Sequence, residues 1–530
     1  MAAIFSIPVL VVLGFLFVPA GEIWSHLVDT VLKDYVLNSL SLMLGVALGS
    51  LLLGVGTAWL ASMCSFTGRG IFEWMLLLPL AIPAYIIAYT YTGMLDFSGP
   101  VQSALREAYG WGYGDYWFPE IRSLWGAALM LSLVLYPYVY LLTRAAFLNQ
   151  SLCVLDVSRT LGNGVWRSFF TVALPLARPS IVAGLSLALM ETLADYGTVQ
   201  YFGVSTFTTG IFRTWYGLDN APAAAQLSAM LLMFVLILIM LEKNSRKKSR
   251  YHNTSQRHQA INRIPLKGWK NFAAVLYCGV AVLFGFLLPA GQLVIWTFTI
   301  SEESIDGAFF DLIYHTLLLG GLASFFALLF ALFLGYGQRL HNNPIVRLSV
   351  RLSGMGYAVP GTVVAVGVII PFAWLDNTLD GWMRSQFDYS TGLILSGSLF
   401  ALLFAYLVRF LAVSLQTVEA GLGRIKPSMD EAGRSLGYSP NEVLRFIHLP
   451  MLRGSLLTAL LLVFVDVLKE LPATLILRPF NFNTLAVRAY ELAADERLAD
   501  AAPASLAIVA VGIIPVILLS YSITRSRQSK

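Results

Sequence analysis

Charged side chains make up only 12% of this 530-residue chain, while 57% of its residues are apolar and its mean hydropathy is +0.71. Ordinary soluble domains carry about 25% charged residues, so a water-soluble globular fold is excluded. The three cysteines, Cys64, Cys153 and Cys278, are too few for a disulfide framework and show no metal-ligand spacing. The six histidines, His26, His252, His258, His315, His341 and His448, are scattered, and none belongs to an H-E-x-x-H motif, so the constellation a membrane-embedded enzyme would need is missing. A Gly-x-x-x-x-Gly-Lys-Ser/Thr phosphate loop is also missing, which excludes ATP hydrolysis by the chain itself through that motif. No Lys or Arg precedes Lys33, so the opening apolar run lacks the basic flank of a signal peptide and reads as a retained helix.

Apolar runs near the roughly 20 residues that cross a bilayer as helix lie at about 4–20, 38–63, 71–95, 123–147, 180–203 and 223–242. The second half repeats the set at about 272–298, 314–336, 352–375, 392–415, 454–477 and 503–523. The expected fold class is an all-α polytopic membrane protein of about twelve spans, arranged as two homologous six-helix halves. Retention of basic loops on the inner side is satisfied by one topology, with both termini inside, which also leaves most acids outside. The stretch 243–271, with Lys243, Arg246, Lys247, Lys248, Arg250, Arg257, Arg263, Lys267 and Lys270, reads as a cytoplasmic tether between the halves rather than a nucleic-acid or lipid-headgroup patch. The expected division is therefore 1–242, the linker 243–271, and 272–530. Tyr136, Tyr138 and Tyr140 read as interface anchors or helix packing rather than a ligand cage.

The repeat is plainest in two polar loops. The first, about 150–178, reads Asp156-Val157-Ser158-Arg159-Thr160-Leu161-Gly162 and closes on Leu174-Pro175. The second, about 424–453, reads Glu431-Ala432-Gly433-Arg434-Ser435-Leu436-Gly437 and closes on Leu449-Pro450. Matched positions continue outside the loops: Asn38 and Pro83 fall opposite His315 and Pro360, and Phe207, Thr209 and Arg213 opposite Phe482, Thr484 and Arg488. Duplicated halves with an even number of spans share one orientation about an axis along the membrane normal. In the second loop Gly437 suits a left-handed helix stop, Ser439 a cap, Pro440 a first turn and Glu442 the far end of a capping box. A helix Asn441–Leu449 is expected to end before Pro450, presenting apolar Val443, Leu444, Phe446 and Ile447 to a partner.

These loops resemble the cytoplasmic "EAA" loop of binding-protein-dependent ABC importer permeases. The resemblance implies a type I importer transmembrane domain and assigns docking on an ATPase subunit to Asp156, Gly162, Leu174 and Pro175 in the first copy, and to Glu431, Ala432, Gly437, Leu449 and Pro450 in the second. The first copy departs from the pattern, with Asp156 for Glu and Val157-Ser158 for the two alanines.

Carboxylates stand where they are expensive. Each loop is followed by two acids four residues apart, Glu191 with Asp195 and Asp466 with Glu470, and that spacing puts each pair on one helical face. Converging around a path, the four would suit a cationic cargo such as a hard metal, which prefers oxygen ligands. The other reading is a structural network with Lys469, Arg213, Arg478 or Arg488. The stretches Glu191-Thr192-Leu193-Ala194-Asp195-Tyr196-Gly197-Thr198-Val199, Asp466-Val467-Leu468-Lys469-Glu470-Leu471-Pro472-Ala473-Thr474 and Arg478-Pro479-Phe480-Asn481-Phe482-Asn483-Thr484-Leu485-Ala486-Val487-Arg488 look like the fused permeases of ferric iron importers, across essentially the whole chain. Thiamine permeases share that organisation. The resemblance implies two copies of an ABC ATPase subunit, a periplasmic or extracellular binding protein, and a multi-pass place in a bacterial inner membrane, with no nucleic-acid partner. No cofactor is expected on this chain and no metal site is firmly assigned; ATP and Mg belong to the ATPase partners. A twelve-span secondary transporter would also be duplicated, but it has no use for paired docking loops.

Overall fold

The structure is a computed structural model and describes residues 2–19, 21–112, 114–149, 164–247, 263–299, 307–341 and 343–528. Among the described residues nine helices are long and apolar enough to cross a membrane, or up to 11 if each of two bent pairs is one span. The bent pairs are Ala3–Phe17 with Gly21–Thr30, at 87°, and Arg69–Ala81 with Ala84–Tyr109, at 92°. The expected run at 503–523 begins as a shorter apolar helix, Ala502–Ile517. Each apolar run read from the sequence thus has a helical counterpart.

The ends differ where the chain carries its own start and stop signals. The run at 352–375 becomes Gly361–Phe387, because Pro360 precedes the first turn in extended conformation. The run at 392–415 becomes Leu399–Leu422, started by the Ser398 side chain accepting from Ala401 N–H. The runs at 180–203 and 454–477 are broken. Their helices stop at Ala194 and Leu468, and short helices Gly197–Tyr201 and Pro472–Leu477 follow.

Two compact units are formed, and neither is continuous in sequence. One comprises Met1–Val28, Gly210–Leu232 and Ser301–Glu491; the other comprises Asp29–Thr209, Met233–Ile300 and Leu492–Lys530. In the first, Phe5 packs on Phe330 and Phe404 with ring centroids 5.6 and 6.1 Å apart. Gln226 Nε2 donates to the carbonyls of Phe15 and Val18. In the second, Leu32–Met63 and Leu124–Asn149 approach closely through small residues: a Cβ on Gly45 would stand 2.8 Å from Ala128 Cβ, and one on Gly54 2.6 Å from Val139 Cβ. Close approach over glycine is how helices gain van der Waals contact in lipid, where no hydrophobic drive separates helix from tail. Tyr277 and Tyr91 donate to the carbonyls of Leu52 and Phe284, both at 2.6 Å, fixing Trp269–Thr299 within this unit.

Both described ends of the basic stretch 243–271 lie in a single unit, while 248–262 lie outside the described residues. The helix Ala221–Lys247 runs on into it, and both of its flanks, Met233 onward and up to Ile300, belong to one unit. Its far end is pinned there by Ile264–Pro265, which pairs in parallel with Cys64–Ser65, and by Thr67 N–H donating to Asn271 Oδ1 at 2.9 Å.

Candidate functional site

The second polar loop is built as a helix, a left-handed turn and a second helix. Pro427–Ser435 is closed by Gly437 at φ +88, with Tyr438 N–H donating to Gly433 O at 3.1 Å and Gly437 N–H to Arg434 O at 3.0 Å. This is a Schellman stop, which needs a residue without Cβ strain at the turn. Ser439 then caps the next helix: Glu442 N–H meets Ser439 Oγ, and the Glu442 carboxylate accepts from Ser439 N–H at 2.7 Å, completing a capping box. Gly433 lies at the crossing of the two helices, where an added Cβ would sit 2.9 Å from Ile447 Cδ1 and 3.1 Å from Val443 Cγ2.

The helix after the cap does not end before Pro450. It passes through a wide turn at Leu444–His448, where Leu449 N–H donates to Leu444 O five residues back, and continues to Leu468. Pro450 has no N–H and its ring would crowd the carbonyl four residues earlier in a regular helix; the wider turn just before it makes the room. The first copy repeats the device, with Leu174 N–H donating to Phe169 O ahead of Pro175 in a helix that runs to Ala194. Asp156 and Gly162 lie outside the described residues.

Of the apolar side chains expected to face a partner, Val443 is buried, Leu444 and Ile447 are half-buried, and Phe446 is 56% exposed. The exposed apolar surface is made instead by Met429, Leu436 at 78%, Tyr438 and Phe446, with the Tyr438 and Phe446 rings 6.0 Å apart. Glu431, Ala432 and Gly437 are exposed beside them, Leu449 is half-buried and Pro450 exposed.

Three hydrogen-bonded side chains anchor this loop. Arg339, at the end of Gly307–Leu340, donates from Nε to Asp430 Oδ2 at 2.7 Å, and from Nη1 and Nη2 to the carbonyls of Leu422 and Ile425 at 2.6 and 2.9 Å. His448 Nε2 lies 2.7 Å from Asp430 Oδ1, and Tyr336 Oη donates to Pro440 O. Burial alone would raise the Asp430 carboxyl, but the bonds from Arg339 and His448 outweigh it and hold the group below the ordinary carboxylate range.

Asp195 and Glu470 occupy the breaks after the loop helices, and Glu191 and Asp466 lie in the last turns of those helices. Asp195 accepts from the N–H groups of Thr198 and Val199, each at 3.1 Å, and from Thr198 Oγ1 at 2.9 Å. Glu470, its counterpart in the repeat, accepts from Ala473 and Thr474 N–H, each at 3.2 Å. Both carboxylates therefore hold the first turn of a short helix, where negative charge is favoured. Glu470 is also bonded to Arg409 Nη1 at 2.7 Å, with both side chains under 10% exposed. Asp466 pairs with Lys469 at 2.9 Å, and Glu191 is half-buried. Of the basic partners expected from sequence, Lys469 engages an acid of the set, while Arg478 pairs with Glu491. Arg409 was missed, although a lone arginine inside the apolar run Leu399–Leu422 is itself a signal. Among the described residues no group of three or more His, Cys, Asp or Glu could hold a metal ion. Tyr136 and Tyr140 are fully buried and serve packing, Tyr140 donating to Glu73 O at 3.0 Å.

A duplicated all-α chain with apolar spans, helices broken at buried acids, and a capped helix–turn–helix carrying exposed apolar residues defines a polytopic transport subunit rather than an enzyme. It belongs to the family of binding-protein-dependent transport system inner membrane components, whose pattern matches twice, at residues 50–250 and 327–528. Among similar proteins is the Fe(3+)-transport system permease protein FbpB 2 of Haemophilus influenzae, 25% identical over 492 residues, covering 92% of this chain and 90% of the relative. The ferric transport system permease protein FbpB of Actinobacillus pleuropneumoniae is 25% identical over 447 residues, 79% of this chain and 60% of the relative. The molybdenum transport system permease protein ModB of H. influenzae is 28% identical over 211 residues, 39% of this chain and 89% of the relative. The chain is accordingly a multi-pass inner-membrane permease subunit that works with an ATPase and a substrate-binding protein.

Proposed function

We propose that this chain is the membrane path of an ATP-driven importer for ferric iron, delivered by a periplasmic or extracellular binding protein and energised by two ATPase subunits that carry the ATP and Mg. The observation that carries the iron reading is similarity to a ferric permease across 92% of the chain, through both halves; the molybdenum relative spans 39% of it. The segments 150–178 and 424–453 are the ATPase-docking loops, and with both termini cytoplasmic these loops face the ATPases. The exposed Met429, Leu436, Tyr438 and Phe446 supply the apolar contact of the second loop. Glu191 and Asp195 in one unit, and Asp466 and Glu470 in the other, are pathway residues, Asp195 and Glu470 also holding the helix breaks open.

The test is ATP hydrolysis by the assembled transporter in proteoliposomes. Binding protein loaded with ferric iron is expected to stimulate hydrolysis well above the empty protein, while free thiamine and molybdate do nothing. Stimulation by either of those with none by ferric iron would overturn the cargo and leave the family assignment standing.

A further inference from the structure

The two docking loops are matched in sequence, but their anchors are not. In the second half, Asp430, one residue before the loop's leading Glu431, is held between Arg339 Nε at 2.7 Å and His448 Nε2 at 2.7 Å. Arg339 also takes the carbonyls of Leu422 and Ile425, which close the preceding helix Leu399–Leu422. One guanidinium therefore joins three segments: the end of Gly307–Leu340, the end of Leu399–Leu422, and the first loop helix Pro427–Ser435. His448 adds the wide turn before Pro450, and its ring stands edge-on to Tyr336 at 5.4 Å. All these bonds are charge-assisted or carried by half-buried groups, the kind that fix geometry rather than merely tolerate it.

At the positions of the first copy that match Arg339, Asp430 and His448, the sequence has Ser62, Leu155 and Ala173. None of the three can form an ion pair. Ser62 turns back onto the Ala58 carbonyl of its own helix. Tyr336 is matched by Trp59, and there the anchor is aromatic: Trp59 stands 4.7 Å from Phe169 and 5.4 Å from Phe147, all three buried. Phe169 opens the wide turn of the first copy, so the ring cluster grips the same part of the loop helix that His448 and Tyr336 grip in the second.

We propose that Arg339, Asp430 and His448 form a positioning clamp specific to the second docking loop, setting the angle at which it meets its ATPase. A guanidinium that ties its own helix to the end of Leu399–Leu422 and to the first loop helix transmits force along fixed directions. The inference rests on the docking-loop reading of 150–178 and 424–453, and it makes His448 and Arg339 positioning residues that touch neither cargo nor nucleotide.

The experiment compares the full chain with R339Q, D430N, H448F and the R339Q/D430N double variant. A control, S62A, changes the matched position of the first copy. Each is assembled with its ATPase and binding protein in proteoliposomes, and three quantities are read: ATPase subunits retained on purification, basal ATP hydrolysis, and labelled iron taken up per ATP hydrolysed. The clamp predicts that R339Q and D430N keep the ATPase bound and hydrolysing while uptake per ATP falls about ten-fold, the usual weight of a charge-assisted hydrogen bond. It also predicts that the double variant is no worse than either single one. H448F, which keeps the ring against Tyr336, should fall less, and S62A should match the parent. Unchanged uptake per ATP in R339Q, or losses that add in the double variant, would overturn the clamp. Should the parent complex take up no iron, the ferric reading fails, and the same variants are then read by uptake per ATP of whichever of labelled thiamine or molybdate the parent does transport: no difference between R339Q and S62A in that ratio would overturn the clamp.

Discussion

Arg409 and Glu470 are two opposite charges taken almost wholly out of water. Removing one member of a buried pair leaves an uncompensated charge, at about 3–5 kcal/mol, whereas replacing both by neutral groups is far milder. R409L is therefore expected to lose folded protein in detergent, measured as a lower unfolding temperature, and R409L/E470Q to recover most of it. Glu191 and Asp466 are placed differently, and neutralising them together, as E191Q/D466N, is expected to reduce iron uptake more than stimulated ATP hydrolysis; equal loss of both would favour a structural role. Asp430 supplies a pH signature. Its carboxyl is held below the ordinary range, so the stability it contributes is present above the unfolded carboxyl value of about 3.8 and is lost as pH falls through the lower folded value. The unfolding temperatures of the parent and D430N should differ by a constant amount from neutral pH down to about pH 5 and converge toward pH 3. The Asp466 and Lys469 pair was legible at the residue scale because three residues separate them on one helix. The partner of Glu470 was not, because Arg409 comes from a different helix far away in sequence and only packing brings them together.

At the scale of the element, the second docking loop was almost fully written in its residues. Gly437, Ser439, Pro440 and Glu442 are local signals, each acting through its own backbone within a few residues, and the stop, cap and turn they imply are what forms. The end of the following helix was misjudged for an equally local reason: Pro450 read in one dimension is a breaker, but a wide turn at Leu444–His448 removes the clash and lets the loop helix continue to Leu468. The second helix of the loop and the membrane helix are then one continuous helix, Pro440–Leu468, suited under the proposed docking role to carrying displacement between them. G437V should strain the left-handed turn by about 1–2 kcal/mol, abolishing uptake while the protein stays in the membrane at parental levels. Normal uptake by that variant would remove the docking-loop assignment.

At the scale of the whole molecule, the apolar runs and the duplication followed from hydropathy and repeated sequence, which are summed properties insensitive to local error, while the family came from the resemblance carried by the two polar loops. The composition of the compact units did not. Segments 1–28 and 210–232 join the unit built mainly from the second half, while 233–300 and 492–530 join the other, and no periodicity reports which helix packs on which. Neither half contains all of either unit, so a fragment 272–530 expressed alone should not accumulate, and co-expression with 1–271 should restore it, measured by immunoblot of membranes. The central claim is that this single chain is the membrane path for ferric iron. It is tested most directly by uptake of radioactive ferric iron into cells holding the binding protein and ATPase, with and without this chain, with labelled thiamine taken up in parallel. The account predicts iron uptake that disappears when only this chain is removed; iron uptake that persists, with thiamine uptake lost instead, would contradict it.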